Sequence, residues 1–271
     1  METPLGPGRS AVPSPGDPAH TQSGHRVRFE WGGQGAATVK ADVAVVVDVL
    51  SFTTSLTVAV ERGIEVFPFE WRDSRGTEHA LRHGASLAVS RIEAKADARH
   101  VSISPTAINQ MEGIERLVLT SPTGAKVAFS LIDSKTKVVA ASLRNADAVA
   151  DHVVRVADAL GRKRSVVVIA AGEQWPDGTL RPGVEDLWGA GAVIAGLVER
   201  GLDDLSVEAR TALAAYLGVE DGIPDAMHQS VSGKELIERG FSVDVDLAAQ
   251  VNVSTVVPVL RGESFVQAPQ Y

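Results

Sequence analysis

The chain has 271 residues, 44% of them hydrophobic and 22% charged, with a formal net charge of −8 and no cysteine. That is the balance of an ordinary globular protein with enough chain to bury a core, and the net negative charge without a Lys/Arg-rich block argues against a nucleic-acid partner. Disulfides, thiolate metal sites and cysteine nucleophiles are excluded, and no segment has the length of a membrane span or the pattern of a leader, so a cytoplasmic protein without a membrane partner is expected.

Residues 1–24 carry Pro4, Pro7, Pro13, Pro15 and Pro18 among Gly and Ser, which predicts a flexible tail. Residues 25–271 are expected to form a single α/β domain, or two lobes of one. Val27 and Phe29 alternate with charged residues and predict an edge strand over Arg26–Trp31. The GGQG of Gly32–Gly35 reads as a turn, since it lacks the third glycine of a dinucleotide loop and precedes the best strand instead of following it. That strand is Val43–Val47, a continuous, mostly β-branched run of the kind buried on both faces. It ends at Asp48. Ser51, Thr53 and Thr54 then bring hydroxyls to a turn, and Leu56, Val60 and Gly63 mark a helix with its glycine cap. Free N–H groups and the positive dipole end at such a helix start attract phosphate or carboxylate oxygens, and Asp48 stands where an acid holds a metal against them. The alternative is that these residues only cap the helix.

Strand-like runs continue at Val66–Phe69, Leu87–Ser90, Leu117–Thr120, Val138–Ala141 and Val166–Ala170. Helical spacing alternates with them. It is clearest over Arg144–Leu160, where Val149, Val153, Val156 and Leu160 are in phase and Gly161 is the stop. Leu187–Arg200 and Ser206–Leu217 follow, and the Gly/Ala-rich stretch Ala190–Leu197 is suited to close packing inside the fold or against another subunit of a homo-oligomer. Asp244 and Asp246 alternate with Val243 and Val245 as on the exposed face of a strand, without chemistry. Val251–Leu260, with Pro258 near its end, reads as a last strand. The whole predicts an α/β fold: a layered sheet of mixed or mostly parallel strands with helices on both faces, its site built by loops at strand ends.

Four loops follow the apolar runs, at residues 48–54, 120–126, 142–145 and 171–186, and are expected to line one crevice. In TSPTGAK, Thr123 and Gly124 let backbone amides approach an anion, with Lys126 nearby for charge. SLRN offers Ser142 and Asn145 at a helix start, where capping is the alternative. Glu173 stands just past its strand, while Glu185 and Asp186 precede an apolar helix, whose dipole alone favours acids there. Converging with Asp48, such acids form a hard-oxygen set suited to magnesium, which keeps several waters and takes one or two carboxylates plus substrate phosphate. Trp71, Trp175 and Trp188 read as packing aromatics. His79, His83 and His100 lack zinc spacing and are assigned surface or local hydrogen-bonding roles.

Taken in order, DVLSFTTS, SRIEAKADARHVSISP, TSPTGAK, ASLRNADAVA, AAGEQ…GVEDLWGAGAVI and SVSGKELIERGFSVDVDLAAQVNVSTVVP resemble the 2-phosphosulfolactate phosphatase family over most of residues 26–265. The resemblance implies an α/β fold, Mg2+ as cofactor, and hydrolysis of 2-phosphosulfolactate to sulfolactate and phosphate in coenzyme M synthesis, with a small phosphorylated substrate as partner. It sets Asp48, Thr53, Thr54, Gly124, Ser142, Asn145, Glu185 and Asp186 at matching motif positions. On the combined reading, Asp48 is catalytic and holds the metal with Glu185 or Asp186, and Arg91 or Lys126 offsets charge. Ser51, Thr53, Thr54, Thr123, Gly124, Ser142 and Asn145 then surround the substrate. The chain departs from the family pattern at Ser51, where an arginine is usual, and at Val89–Ser90–Arg91, where the family has Gly-Glu-Arg. It departs again at Ile103–Ser104–Pro105 for Asn-Ser-Pro, at Pro122–Thr123–Gly124 for Thr-Asn-Gly, and at Asn252 for Asp. Losing a bidentate donor at Ser51 predicts a different substrate preference. It also motivates two alternatives: a phosphatase for another phosphorylated acid or sugar, and a non-catalytic phosphometabolite-binding protein.

Overall fold

The computed structural model describes residues 20–70, 73–97, 99–132, 134–159 and 164–269. The proline-rich stretch up to residue 19, Trp71, Leu160 and Gly161 lie outside the described residues.

The apolar runs form the strands β1 (Val27–Trp31), β2 (Val43–Val47), β3 (Glu65–Phe69), β4 (Ser86–Val89), β5 (Val101–Ser102), β6 (Arg116–Thr120), β7 (Lys137–Ala141) and β8 (Val166–Ala170). A small hairpin, β9 (Glu173–Gln174) with β10 (Leu180–Arg181), stands apart from the main sheet, and β11 (Pro258–Arg261) and β12 (Ser264–Gln267) complete it. The main sheet has ten strands in the order β1-β8-β2-β7-β11-β12-β3-β6-β4-β5. Pairing is parallel within β1-β8-β2-β7 and within β3-β6-β4-β5, and the antiparallel β11–β12 hairpin joins these two sets. Its outer ladders are single register pairs, Val259 with Val139 and Phe265 with Val66, so the sheet is only lightly held at the join.

The helices are α1 (Gly32–Thr38), α2 (Phe52–Glu61), α3 (Ser74–His83), α4 (Arg91–Ala96), α5 (Pro105–Gln110), α6 (Gly124–Ser130), α7 (Ala146–Ala159), α8 (Val184–Glu199), α9 (Val207–Leu217), α10 (Ile223–Gln229), α11 (Val231–Glu238) and α12 (Ser242–Ala248). Period-two alternation sorts the central strands between two apolar layers. Val43, Val45, Val47, Val166 and Val168 join the layer containing Val149 of α7, Val193 of α8 and Ala212 of α9. Ala44, Val46, Val167 and Ile169 join Leu56 of α2, Val127 of α6, and Val66 and Leu119 from the other parallel set. Helices α2 and α6 thus pack against both sets. Phe67, Phe69 and Val118 on the far face gather with Ala80 of α3. Burying one such Val or Leu completely contributes about 1.5–3 kcal/mol, which is why these runs dictate the layers.

Several segments differ from the sequence expectation for identifiable reasons. Gly32–Gly35 is not a turn but the start of α1, because small residues, Gly35 and Ala36 among them, bury one side of the helix. Asp244 and Asp246 lie in helix α12, not in a strand. The buried positions there are Phe241, Asp244, Val245 and Ala248, a helical spacing that the Val-Asp alternation disguised. The strand expected over Val251–Leu260 is β11, which begins at Pro258 instead of ending near it, since a residue without an N–H suits a strand's first position, and β12 follows it. Residues 20–24 are tied to β1 by Gln22, whose side chain donates to the Phe29 carbonyl and accepts from the Phe29 N–H. His79 is buried, not superficial, and stacks on Phe69 with ring centroids 4.4 Å apart.

Candidate active site

The C-terminal ends of β2, β6 and β8 meet around Asp48, which is only 4% exposed. Its Oδ1 accepts from the Phe52 N–H at 3.0 Å. Its Oδ2 accepts from the Gly124 N–H at 2.9 Å, Thr123 Oγ1 at 3.1 Å and Ser121 Oγ at 3.3 Å. Phe52 and Gly124 are the first residues of α2 and α6, so one carboxylate sits on two helix N-termini, where unpaired N–H groups and dipoles favour negative charge. The backbone amides expected to hold a phosphate therefore hold Asp48. Thr53 Oγ1 donates to the Asp48 carbonyl and accepts from the Asp48 N–H, and Thr54 Oγ1 donates to the Val49 carbonyl. Both threonines are wholly buried and lock this turn instead of facing a ligand.

Above Asp48 lies a polar cleft lined by Ser51, Arg91, Ser121, Thr123 and Glu173, with Leu50 and Ile103 as apolar wall. It continues past Arg91 into a second compartment bearing Ser232, Glu235, Arg239 and Phe241. Their volumes of about 120 and 220 Å³ fall below the roughly 300–1,000 Å³ of drug-sized ligand sites, which suits a small substrate. Arg91 Nη2 donates to Ser51 Oγ at 2.6 Å, so a guanidinium from α4 stands beside the serine that replaces the expected arginine.

Behind the cleft, buried acids accumulate. Asp186, in the first turn of α8, accepts from the Val49 N–H at 2.7 Å and the Gly172 N–H at 2.8 Å, joining the loops after β2 and β8. Neighbouring Glu185 is 2% exposed, and the nearby Ser232 offsets part of the effect of its burial. Burial pushes the carboxyls of Asp48, Glu185 and Asp186 above the usual carboxylate range, and repulsion from Asp48 and Glu185 raises Asp186 further. Glu173 is raised to about 8 by burial and then by the charges of Asp48 and Glu185, while Arg181 pulls the other way.

This donor set bears directly on whether magnesium fits. Four acids that burial and mutual repulsion leave short of positive charge suit a divalent cation. No set of three His, Asp or Glu among the described residues converges closely enough to hold an ion alone. A closed cage of protein ligands is thus not formed among the described residues, and a cation there would need water beside one or two carboxylates. Among the described residues, Asp48 Oδ1 and the two Asp186 oxygens each accept one hydrogen bond, whereas Asp48 Oδ2 accepts three.

The remaining expected site residues lie elsewhere. Lys126 is exposed on α6 and does not line the cleft. The Asn145 side-chain carbonyl accepts from the Ser142 N–H at 2.8 Å and its amide donates to the Val256 carbonyl at 2.9 Å; both residues are fully buried, so capping accounts for them. Trp188 packs in the core and Trp175 is exposed under Arg181. Sequence reasoning missed Ser121, hidden in a turn-like Ser-Pro, and Asp244, hidden by the alternation described above.

The family model of 2-phosphosulpholactate phosphatase matches residues 34–263. A Deinococcus radiodurans protein named "Probable 2-phosphosulfolactate phosphatase" is 32% identical over 226 residues, covering 81% of this chain and 88% of that protein. One of the same name from Thermus thermophilus is 31% identical over 223 residues, covering 82% and 89%. A third, from Carboxydothermus hydrogenoformans, is 28% identical over 215 residues, covering 79% and 84%.

Proposed function

The chain belongs to the 2-phosphosulpholactate phosphatase family, and from that membership we propose that it hydrolyses a small phosphate monoester, with 2-phosphosulfolactate the first substrate to test and magnesium as cofactor. The observation that carries the reading is the buried Asp48 carboxylate at the floor of a small cleft, flanked by the Arg91 guanidinium, three hydroxyls and further acids.

In this reading Asp48 and Asp186, with Glu185 beside them, hold the metal. Bound there, magnesium supplies positive charge to the phosphoryl oxygens. Arg91 offers planar N–H donors to the same oxygens, and Ser51, whose hydroxyl accepts from Arg91 and keeps its own proton, orients them from the cleft wall, whereas the Thr123 hydroxyl is spent on Asp48. Asp48 itself is held still by both helix N-termini, so its geometry is set before substrate arrives. The second compartment, where Arg91 and Arg239 stand against Glu173 and Glu235, receives the organic part of the substrate.

Phosphate release measured with magnesium and with chelator, over 2-phosphosulfolactate and a panel of phosphorylated hydroxy acids and sugars, tests this. Magnesium-dependent release is expected, falling at least about a hundredfold in Asp48→Asn. Unchanged release in that variant would refute the site. Preference for another panel member would keep the phosphatase reading and relocate the substrate, as Ser51 in place of arginine favours.

A further inference from the structure

Asp244 is wholly buried, belongs to α12, and lines neither compartment of the cleft. Its Oδ2 accepts from Arg91 Nε at 2.6 Å, and its Oδ1 accepts from Ser104 Oγ at 2.6 Å and from the Thr106 N–H at 3.3 Å. Arg91 in turn donates through Nη2 to Ser51 Oγ at 2.6 Å, and its guanidinium carbon stands 5.6 Å from the centre of the Phe241 ring. The turn before α2 and helix α12 thus meet at a guanidinium carried by α4, and the start of α5 is tied to it only through Asp244.

An arginine side chain is long and loses much rotamer freedom when fixed, so a guanidinium at a cleft is useful only if something aims it. Here the Nε side is fixed by a carboxylate that is itself fixed by two further donors, and the Nη2 end by a serine of the Asp48 turn. Nε and one Nη2 N–H are taken by these partners, and Arg91 lines both compartments of the cleft. We propose that Asp244 is a positioning residue: it holds Arg91 in the one orientation that presents its N–H fork to the phosphate of the substrate, and so sets substrate affinity without touching substrate. This rests on the phosphatase reading of the cleft.

The competing role is purely structural, the capping of α5 through Ser104 and Thr106. Asp244→Asn separates the two, because it keeps an oxygen for Ser104 and Thr106 while placing an amide NH2 against Arg91 Nε. Steady-state kinetics, melting temperature and the melting shift caused by inorganic phosphate are measured for wild type, Asp244→Asn, Arg91→Ala and the double variant. If Asp244→Asn does not fold, Asp244→Ser replaces it in the same comparison. The expected kcat/KM loss in the Asp244 variant is about tenfold to a hundredfold, mostly in KM, the range found for hydrogen-bond partners that aim a functional side chain. The double variant loses no more than Arg91→Ala alone, since Asp244 has nothing left to aim, and the phosphate-induced melting shift shrinks in parallel. Multiplying effects, or an unchanged KM with a lowered melting temperature, overturn the proposal. Wild type that neither releases phosphate nor responds to it refutes the phosphatase reading and the role resting on it. Wild type that does both while the losses multiply refutes only the role of Asp244.

Discussion

Removing divalent metal should make the protein progressively less stable as pH rises from about 5 to about 8, and magnesium should remove that slope. Glu173 has an ordinary value of 4.5 and is raised to about 8 in the fold, by burial and then by Asp48 and Glu185. In that window the folded protein keeps a proton that the unfolded chain has lost, so unfolding releases it and higher pH favours unfolding. The contribution is at its most favourable below 4.5 and is lost as pH climbs toward 8. One pKa unit corresponds to about 1.4 kcal/mol, so the interval from pH 5 to 7.5 carries at most about 3.4 kcal/mol. Solvent screening at the partly exposed Glu173 reduces this to about 2 kcal/mol. For a chain of this size that is a fall of about 4–8 °C in melting temperature. Asp48, Glu185 and Asp186 are shifted in the same direction and add to it. The assay is thermal unfolding in chelator across the pH range, repeated with magnesium and with Glu173→Gln. The variant should flatten part of the slope, and the stabilisation by magnesium should grow with pH. Because buried His79 and His152, both lowered by burial, act in the opposite sense below their ordinary value of 6.5, the deciding comparison is the difference in slope: a slope unchanged by magnesium and by Glu173→Gln would mean that these carboxyls do not crowd one another, and the proposed metal site would lose its physical basis.

Three substitutions probe other parts of the argument. In Gly124→Ala the added methyl would stand 2.7 Å from Phe52 Cδ1 and equally close to Asp48 Cβ, so overpacking should cost about 1–3 kcal/mol and shift Asp48, seen as a lowered melting temperature together with lost phosphate release. Gly191→Ala drives a methyl of α8 into the Ala212 carbonyl of α9, away from the cleft; a similar loss of stability is expected in denaturant titration, with activity per folded molecule retained. Lys126→Ala, exposed and outside the cleft lining, should leave kcat/KM within about twofold in the same phosphate-release assay, and a large loss there would show that the cleft closes over α6 during turnover.

The layers were legible because buried strands in an α/β sheet need continuous β-branched runs on both faces, and Val43–Val47 and Val166–Ala170 are such runs. The parallel sets and intervening helices follow from the same alternation. What sequence patterning could not convey is β12, the second strand of the joining hairpin, and the placing of that hairpin between two parallel sets, to each of which it is held by one register pair. At the site, Asp48 and the acids of α8 were visible as carboxylates at a strand end and a helix start. Ser142 and Asn145 carry the same local chemistry, yet they satisfy each other, because a cap and a ligand contact ask for the same residue types. Only tertiary context separates the two. Asp244 shows the converse error, since a Val-Asp-Val-Asp alternation fits a half-exposed strand as well as a helix with one buried acid.

The turn after Asp48 also reverses the simplest account of anion binding. Its two helix N-termini do attract an anion, but that anion is the protein's own carboxylate, held by four hydrogen bonds. On the proposed reading, a phosphate entering the cleft lies close to Asp48, and repulsion between the two negative groups has to be offset by charge from elsewhere. With Ser51 in place of the family's usual arginine, the turn itself contributes none. The guanidinium nearest to it comes from Arg91, in a separate segment, and reaches Ser51 across the cleft. On the proposed reading, the charge that admits phosphate is carried by α4 and aimed by α12, and substrate preference would then depend on how those two helices sit against the Asp48 turn.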